Sequence, residues 1–152
     1  MLRRTLGVAL ASALALAVVL APQAAAQGSA WSWHLSAGAV SADRIGFTGA
    51  VWAGSPAFEE LFIRAGMTAI EDRTVLEGGV VYLLTPVAPD LVTRFPALDP
   101  YVAAMLTHES GEGVGLYAGV GGTYRLAPRT WGWGELRLGQ GLGIVVGLGV
   151  SF

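Results

Sequence analysis

The last 40 residues, Gly113 to Phe152, read GVGLYAGVGGTYRLAPRTWGWGELRLGQGLGIVVGLGVSF and decide the fold. From Leu142 to Phe152, every second residue is large and apolar, and most residues between them are glycine. A period of two residues is typical of a β-strand, where successive side chains point to opposite faces. Similar alternation precedes it in 114–126 and 133–138. The stretch therefore predicts three strands joined by short turns.

The two faces of the last predicted strand indicate its surroundings. One face is entirely large and apolar, whereas the other is mostly glycine, which is unusual inside a strand. The large face requires an apolar solvent, and the small face requires a narrow interior. A small barrel in a lipid bilayer provides both, because its outer band contacts hydrocarbon while its lumen has little room.

The same alternation extends towards the N-terminus. It predicts four strands that begin near Trp31, Ile45, Phe58 and Val75, then one long connection, Pro86–Pro100. A shorter fifth strand, 101–107, follows that connection. Eight strands of roughly ten residues result, a length that crosses a bilayer when tilted. The predicted fold is all-β, an eight-stranded antiparallel up-and-down transmembrane β-barrel.

The C-terminal strand also carries a resemblance to a known class. An alternating last strand that ends on an aromatic residue, here Phe152, resembles the strand by which bacterial outer-membrane β-barrels are recognised for assembly. With its size, the chain resembles the small barrels of the OmpA and OmpX type. The resemblance implies a location in the bacterial outer membrane. It also implies outer-membrane lipid and the barrel-assembly machinery as partners, and we expect a monomer.

The N-terminal segment has the features of an export signal. Arg3 and Arg4 precede an apolar stretch, Leu6–Leu20, and the small residues Ala24–Ala26 follow. This order predicts a secretory signal peptide over 1–26, cleaved to leave a single barrel domain over 27–152. An uncleaved anchor helix is the alternative. No later run of 18 apolar residues exists, so the sequence predicts no helical membrane span after the signal.

Composition excludes several classes of function. The 152 residues are 53% hydrophobic and contain no cysteine, so neither a disulfide framework nor a thiolate metal site can form. All nine basic residues are arginine, and they form no basic patch of the kind that binds nucleic acid. We expect no cofactor, no metal and no nucleic acid partner.

Charged residues in the predicted strands share the inward-facing parity. An arginine facing lipid near the bilayer midplane costs about 2–4 kcal/mol, so inward placement with mutual pairing is favoured. The resemblance to OmpA-type barrels suggests a polar plug or gate, but an ion-paired filling without a pore is the preferred interpretation, because eight strands leave room only for side chains. The predicted lumen polar network comprises Arg64, Glu77, Arg125, Glu135 and Arg137.

Aromatic residues cluster near one predicted rim. Large amphipathic rings prefer the interface between membrane and water. Trp52, Trp131 and Trp133 have inward parity and are expected to cork the barrel. The long connection Pro86–Pro100 is predicted at this same rim, the reverse of the usual arrangement if the N-terminus is periplasmic. The predicted interface aromatics are Trp31, Trp33, Tyr82, Tyr124 and Phe152.

The sequence predicts a structural or envelope-interaction role without catalytic turnover. Two alternatives to this role remain open. His108 and Ser110 are spaced as in a His-x-Ser pair, which resembles that of small outer-membrane barrels that deacylate lipid A. The residues that follow do not match the longer motif of those enzymes, and a polar loop explains the same pair. The second alternative is a soluble lipocalin-like carrier of an apolar ligand. Its exposed apolar rows would exceed those of soluble monomers.

Overall fold

The computed structural model describes residues 31–41, 45–71, 73–109, 113–139 and 141–152. The predicted signal peptide, residues 1–26, lies outside this part of the chain and stays a prediction. Eight strands and one short helix, α1 (Pro89–Arg94), form the described structure. The strands are β1 (Ser32–Ser41), β2 (Ile45–Gly54), β3 (Leu61–Ile70), β4 (Arg73–Leu83), β5 (Leu98–Glu109), β6 (Gly113–Ala127), β7 (Thr130–Gly139) and β8 (Gly141–Ser151).

Every strand pairs with its neighbours in the sequence, and the sheet closes on itself. All eight ladders are antiparallel, and β8 pairs with β1 in a register that places Leu35 opposite Val150. Closure removes the free sheet edges that would otherwise leave backbone groups unpaired. The structure confirms the predicted eight-stranded up-and-down barrel.

The fifth strand is longer than predicted. It begins at Leu98 rather than Tyr101 and includes Pro100, which pairs with Gly122 of β6. Proline cannot donate a hydrogen bond to a ladder. The ladder between β4 and β5 ends at the Leu83–Tyr101 pair, and Pro100 lies one residue beyond it. The N–H that proline lacks is therefore not needed by that ladder. The proline carbonyl still accepts a hydrogen bond of 2.7 Å from the Leu84 amide.

The long connection also contains a helix that the sequence did not predict. Helix α1 begins at Pro89, where the fixed φ of proline suits the first helical turn, and Asp90 lies in that turn. No helix within the described part of the chain is both long and apolar enough to span a membrane.

The barrel has two different rims. The terminal rim is the edge where β1 begins and β8 ends, and it carries the connections 55–60, 84–97 and 128–129. The turn rim is the opposite edge, where the connections 42–44, 71–72, 110–112 and 140 are short. The long proline-rich connection therefore lies at the rim where β1 begins, as predicted.

The outer surface of the barrel is apolar. Every Asp, Glu and Arg within the described strands occupies an inward position of the alternation. The outward positions instead carry exposed aliphatic side chains, such as Leu116 and Leu148 at 63% and 60% exposure. A band of this kind is stable only against another apolar phase. It has the character of the lipid-facing band of a transmembrane barrel.

Candidate functional site

Six inward side chains from five consecutive strands meet inside the barrel and form what we call the lumen cluster. Alternation points each of them inward, and hydrogen bonds between them show that they meet. Its members are Arg64 of β3, Glu77 of β4, Tyr101 of β5, Tyr117 of β6, and Glu135 and Arg137 of β7.

One ion pair spans the lumen. The Arg64 guanidinium donates from its two Nη atoms to both carboxylate oxygens of Glu135, at 2.6 and 3.1 Å. Strands β3 and β7 are four places apart in a ring of eight, so they form opposite walls of the barrel. Neither side chain is accessible to solvent. The pair therefore joins opposite walls of the barrel through buried side chains.

The remaining contacts make the cluster a closed ring. Arg137 donates from Nε to Glu135 at 2.8 Å and from its two Nη atoms to Glu77 at 3.0 and 3.2 Å. The Tyr117 hydroxyl accepts from Arg64 at 2.7 Å and donates to Glu77 at 3.1 Å. Tyr101 donates its hydroxyl to Glu135 at 3.0 Å. Two arginines and two glutamates balance, so the ionised cluster has no net charge.

This balance is what makes the buried charges tolerable. Moving an ion out of water costs several kcal/mol, and attraction between partners offsets that cost only when hydrogen bonds satisfy most of their polar atoms. In the lumen cluster all four carboxylate oxygens accept hydrogen bonds. Arg64 Nε has no hydrogen-bond partner among the described residues. Removing any one charge would leave the cluster with one unbalanced charge in a buried position.

Tryptophan rings pack against the lumen cluster, as their inward parity predicted. The Arg64 guanidinium carbon lies 4.9 Å from the centre of the Trp52 ring, within the range of a cation–π interaction. Trp52 contacts Trp131 and Trp133 edge to face, with ring centres 5.4 and 5.9 Å apart. The rings fill space beside the ion pairs and exclude water from them.

The glycines of the inner face provide room for these large side chains. A Cβ atom added to Gly119 would lie 2.9 Å from Glu135 Cδ, and one added to Gly121 would lie 2.7 Å from Tyr101 Cζ. Both distances are too short for carbon atoms in contact. The glycine-rich inner face seen in the sequence is therefore the complement of the bulky side chains opposite it.

Arg125 is the predicted lumen residue that lies apart from the cluster. Its side chain is exposed at the terminal rim, and it makes no hydrogen bond to the cluster residues. β6 is the longest strand, and its pairing with β5 ends at Tyr124, so Arg125 stands on a part of the wall that extends beyond the filled lumen. Inward parity alone does not reveal this difference in depth.

Tyr101 and Tyr117 are cluster members that the predicted network did not include. Both are almost completely buried and hydrogen-bonded to charged partners. The Tyr117 hydroxyl reaches both Arg64 and Glu77. Their inward parity was the available signal, because a buried tyrosine hydroxyl normally requires a partner.

The predicted interface aromatics all lie at the terminal rim. Trp33 is half-buried, and the remaining four side chains are exposed. Their role as anchors at a membrane interface stays a prediction. The four exposed residues are Trp31, Tyr82, Tyr124 and Phe152.

Of the predicted His-x-Ser pair, His108 lies within the described residues. His108 is exposed at an outward position near the turn rim, where its strand neighbours are Leu76 and Val114. Ser110 lies outside the described residues. Within the described ranges, no three His, Asp or Glu side chains are grouped as metal ligands would be.

The closed barrel, apolar outer band and filled lumen together define the fold of a small transmembrane β-barrel, and solved structures of that class are similar to this chain. A designed transmembrane β-barrel aligns with a TM-score of 0.63 at 19% identity, covering 80% of this chain and 94% of the design. The N-terminal barrel domain of Pseudomonas aeruginosa OprF gives a TM-score of 0.62 at 14% identity, covering 80% and 97% of the two chains. Neisserial surface protein A gives 0.51 at 15%, covering 82% and 98%.

These similarities concern the fold. No protein-family model and no curated protein sequence matches the chain. Sequence identities below 20% to barrels of natural and designed origin indicate a shared architecture, and architecture alone does not define an activity.

Proposed function

We propose that the protein is a bacterial outer-membrane β-barrel with a structural or envelope-interaction role, without catalytic turnover and without a large pore. The observation that carries this proposal is the combination of an uncharged apolar outer band with a lumen crossed by the Arg64–Glu135 pair. The band matches a lipid environment, and a buried ion pair between opposite walls supports a lumen without a large pore.

The proposal includes two partners. Outer-membrane lipid would cover the exposed aliphatic rows of the strands. The barrel-assembly machinery would recognise β8, which alternates throughout and is followed by the exposed Phe152. Since closure satisfies every strand edge, nothing in the proposal requires a second copy, and we propose a monomer.

Cell fractionation and gel mobility test the proposal. The full-length chain, expressed in a Gram-negative host, should be recovered in the outer-membrane fraction. It should migrate differently on a denaturing gel with and without boiling, because a closed barrel resists detergent until heated. A chain that extracts in buffer without detergent and migrates identically either way would contradict the membrane proposal and favour the soluble carrier.

A lipid analysis separates the structural role from the lipid-modifying alternative. Outer-membrane lipid A from expressing and non-expressing cells should have the same acyl pattern. Loss of an acyl chain that is prevented by His108→Ala, in a variant that still shows the heat-dependent shift, would contradict a role without turnover.

A further inference from the structure

A cavity of about 340 Å³ opens at the terminal rim, outside the lumen cluster. Its volume falls in the range of sites that hold small molecules. Its wall combines aromatic rings with polar and charged groups. The rings are those of Trp52, Phe62 and Trp131, and Arg125 and Arg129 provide the positive charges.

The two arginines of this cavity are not neutralised. Arg125 and Arg129 are exposed, and no ion pair joins either guanidinium to a carboxylate of the described residues. Every other arginine in the described strands lies beside a glutamate. Asp99 also lines the cavity and is half-buried, so the wall has a surplus of one positive charge.

The remaining polar groups are mostly hydrogen-bond donors or can act as donors. Thr123 and Ser151, which both carry a hydroxyl, line the cavity, and Ser151 Oγ lies 2.8 Å from His34 Nδ1. A donor-rich wall around free guanidinium groups favours an oxyanion.

The apolar part of the wall is rigid and aromatic. Trp131 packs edge to face on Trp52 at 5.4 Å, and His34 contacts Phe62 and Trp131 in the same manner at 5.5 and 6.3 Å. Rings held in this way present flat apolar surface without losing further side-chain freedom on binding. Such a surface suits the body of a small organic molecule better than a bare inorganic ion.

We propose that this rim cavity binds a small organic oxyanion, with its charged group between Arg125 and Arg129 and its apolar body against Trp52, Phe62 and Trp131. A phosphate and a carboxylate are both anionic oxygen groups, and the source of either can be a free metabolite or the headgroup of a lipid at the membrane surface. The proposal goes beyond a structural role and concerns a part of the barrel that the lumen cluster does not occupy.

Calorimetric titration of the detergent-extracted full chain with phenyl phosphate tests the site. The protein should be in octyl glucoside, which carries no charge. We expect saturable binding with a Kd below about 1 mM, and at least about tenfold weaker binding of benzyl alcohol and of inorganic phosphate. Absence of saturable binding, or equal binding of benzyl alcohol, would overturn the proposal.

Charge variants locate the binding. The double variant Arg125→Gln/Arg129→Gln should weaken phenyl phosphate binding at least about tenfold, and Asp99→Asn should strengthen it, because each changes the charge of the wall. Arg94→Gln, on the exposed helix α1, is the matched control and should leave the Kd unchanged. An unaltered Kd in the double variant, or equal weakening by Arg94→Gln, would overturn the assignment. Heat-dependent gel mobility of each variant shows that its barrel is intact.

Competition identifies the source of the oxyanion. If short-chain phosphatidic acid displaces phenyl phosphate, the site accepts a lipid headgroup. If it does not displace the probe while binding still depends on the two arginines, the site accepts a free organic anion. Both results support the cavity as a binding site. The outcome of the cell fractionation test, which concerns the barrel itself, does not depend on any of these binding measurements.

Discussion

Glu135 is the residue on which the lumen cluster depends most, because three side chains donate to its carboxylate. Arg64 binds it from the opposite wall, Arg137 binds it from the same strand, and Tyr101 donates a hydroxyl. All three contacts are buried. A substitution that neutralises Glu135 therefore measures how much these buried contacts stabilise the barrel.

We expect Glu135→Gln to lower the free energy of unfolding by about 3–5 kcal/mol, because it leaves the Arg64 guanidinium buried without its counter-ion. Glu59→Gln, an exposed position, should change it by less than about 0.5 kcal/mol. Urea titration of the protein in phospholipid vesicles, followed by tryptophan fluorescence, measures both. Equal effects of the two substitutions on the free energy of unfolding would contradict a stabilising role of the buried ion pair.

The inner glycines make a second prediction at the residue scale. Gly119→Ala places a methyl group against the Glu135 carboxylate and should destabilise the barrel by about 1–3 kcal/mol. Gly78→Ala, where nothing lies within 4 Å of the new atom, should leave stability unchanged or raise it by about 0.4–1 kcal/mol. The same urea titration compares them, and a destabilised Gly78→Ala with an unaffected Gly119→Ala would contradict the packing argument.

At the scale of the element, β8 shows how one strand serves two environments. Its inward Val145 is fully buried and packs in the core, whereas the adjacent Val146 is 58% exposed on the outer band. A shift of one residue in register would exchange these faces and place the aliphatic row in the lumen. Pairing with both β7 and β1 holds the register.

The outer band predicts a dependence on depth. Val146→Arg, near the middle of β8, should cost about 2–4 kcal/mol of folding free energy in lipid, because the charge faces hydrocarbon. Val114→Arg, at the turn-rim end of β6, should cost about 0–1 kcal/mol. Reversible folding into vesicles measures the difference. Similar costs at both positions would mean that the band does not face a bilayer.

At the scale of the whole molecule, the filled lumen predicts an electrically silent barrel. The wild-type protein in a planar bilayer should give no current steps, because the Arg64–Glu135 pair and the tryptophan rings obstruct the path. The double variant Arg64→Ala/Glu135→Ala removes the bridge between opposite walls and should introduce measurable conductance. A conducting wild-type protein would contradict the closed lumen. Heat-dependent gel mobility of the variant serves as the control for folding.

The sequence alone was sufficient for the strand pattern. Two-residue alternation marks the strands, glycine and proline mark most of the turns, and the charged residues of the strands all share the inward parity. Such local patterns reflect which side of a pleated strand contacts lipid, so they can be read without knowing the register. The start of the fifth strand was predicted too late, because proline normally interrupts a ladder. Pro100 is tolerated because the ladder with β4 ends at Tyr101, which only the structure shows.

Tertiary structure alone decided which inward residues meet. Arg64 and Glu135 are separated by 71 positions in the chain, and closure of the barrel brings them together across the lumen. Arg125 has the same parity but stands beyond the end of the β5 ladder, where it lines the rim cavity instead. Parity determines the face of a strand, whereas strand tilt and register determine depth, and depth separates a buried ion-pair cluster from an open binding site.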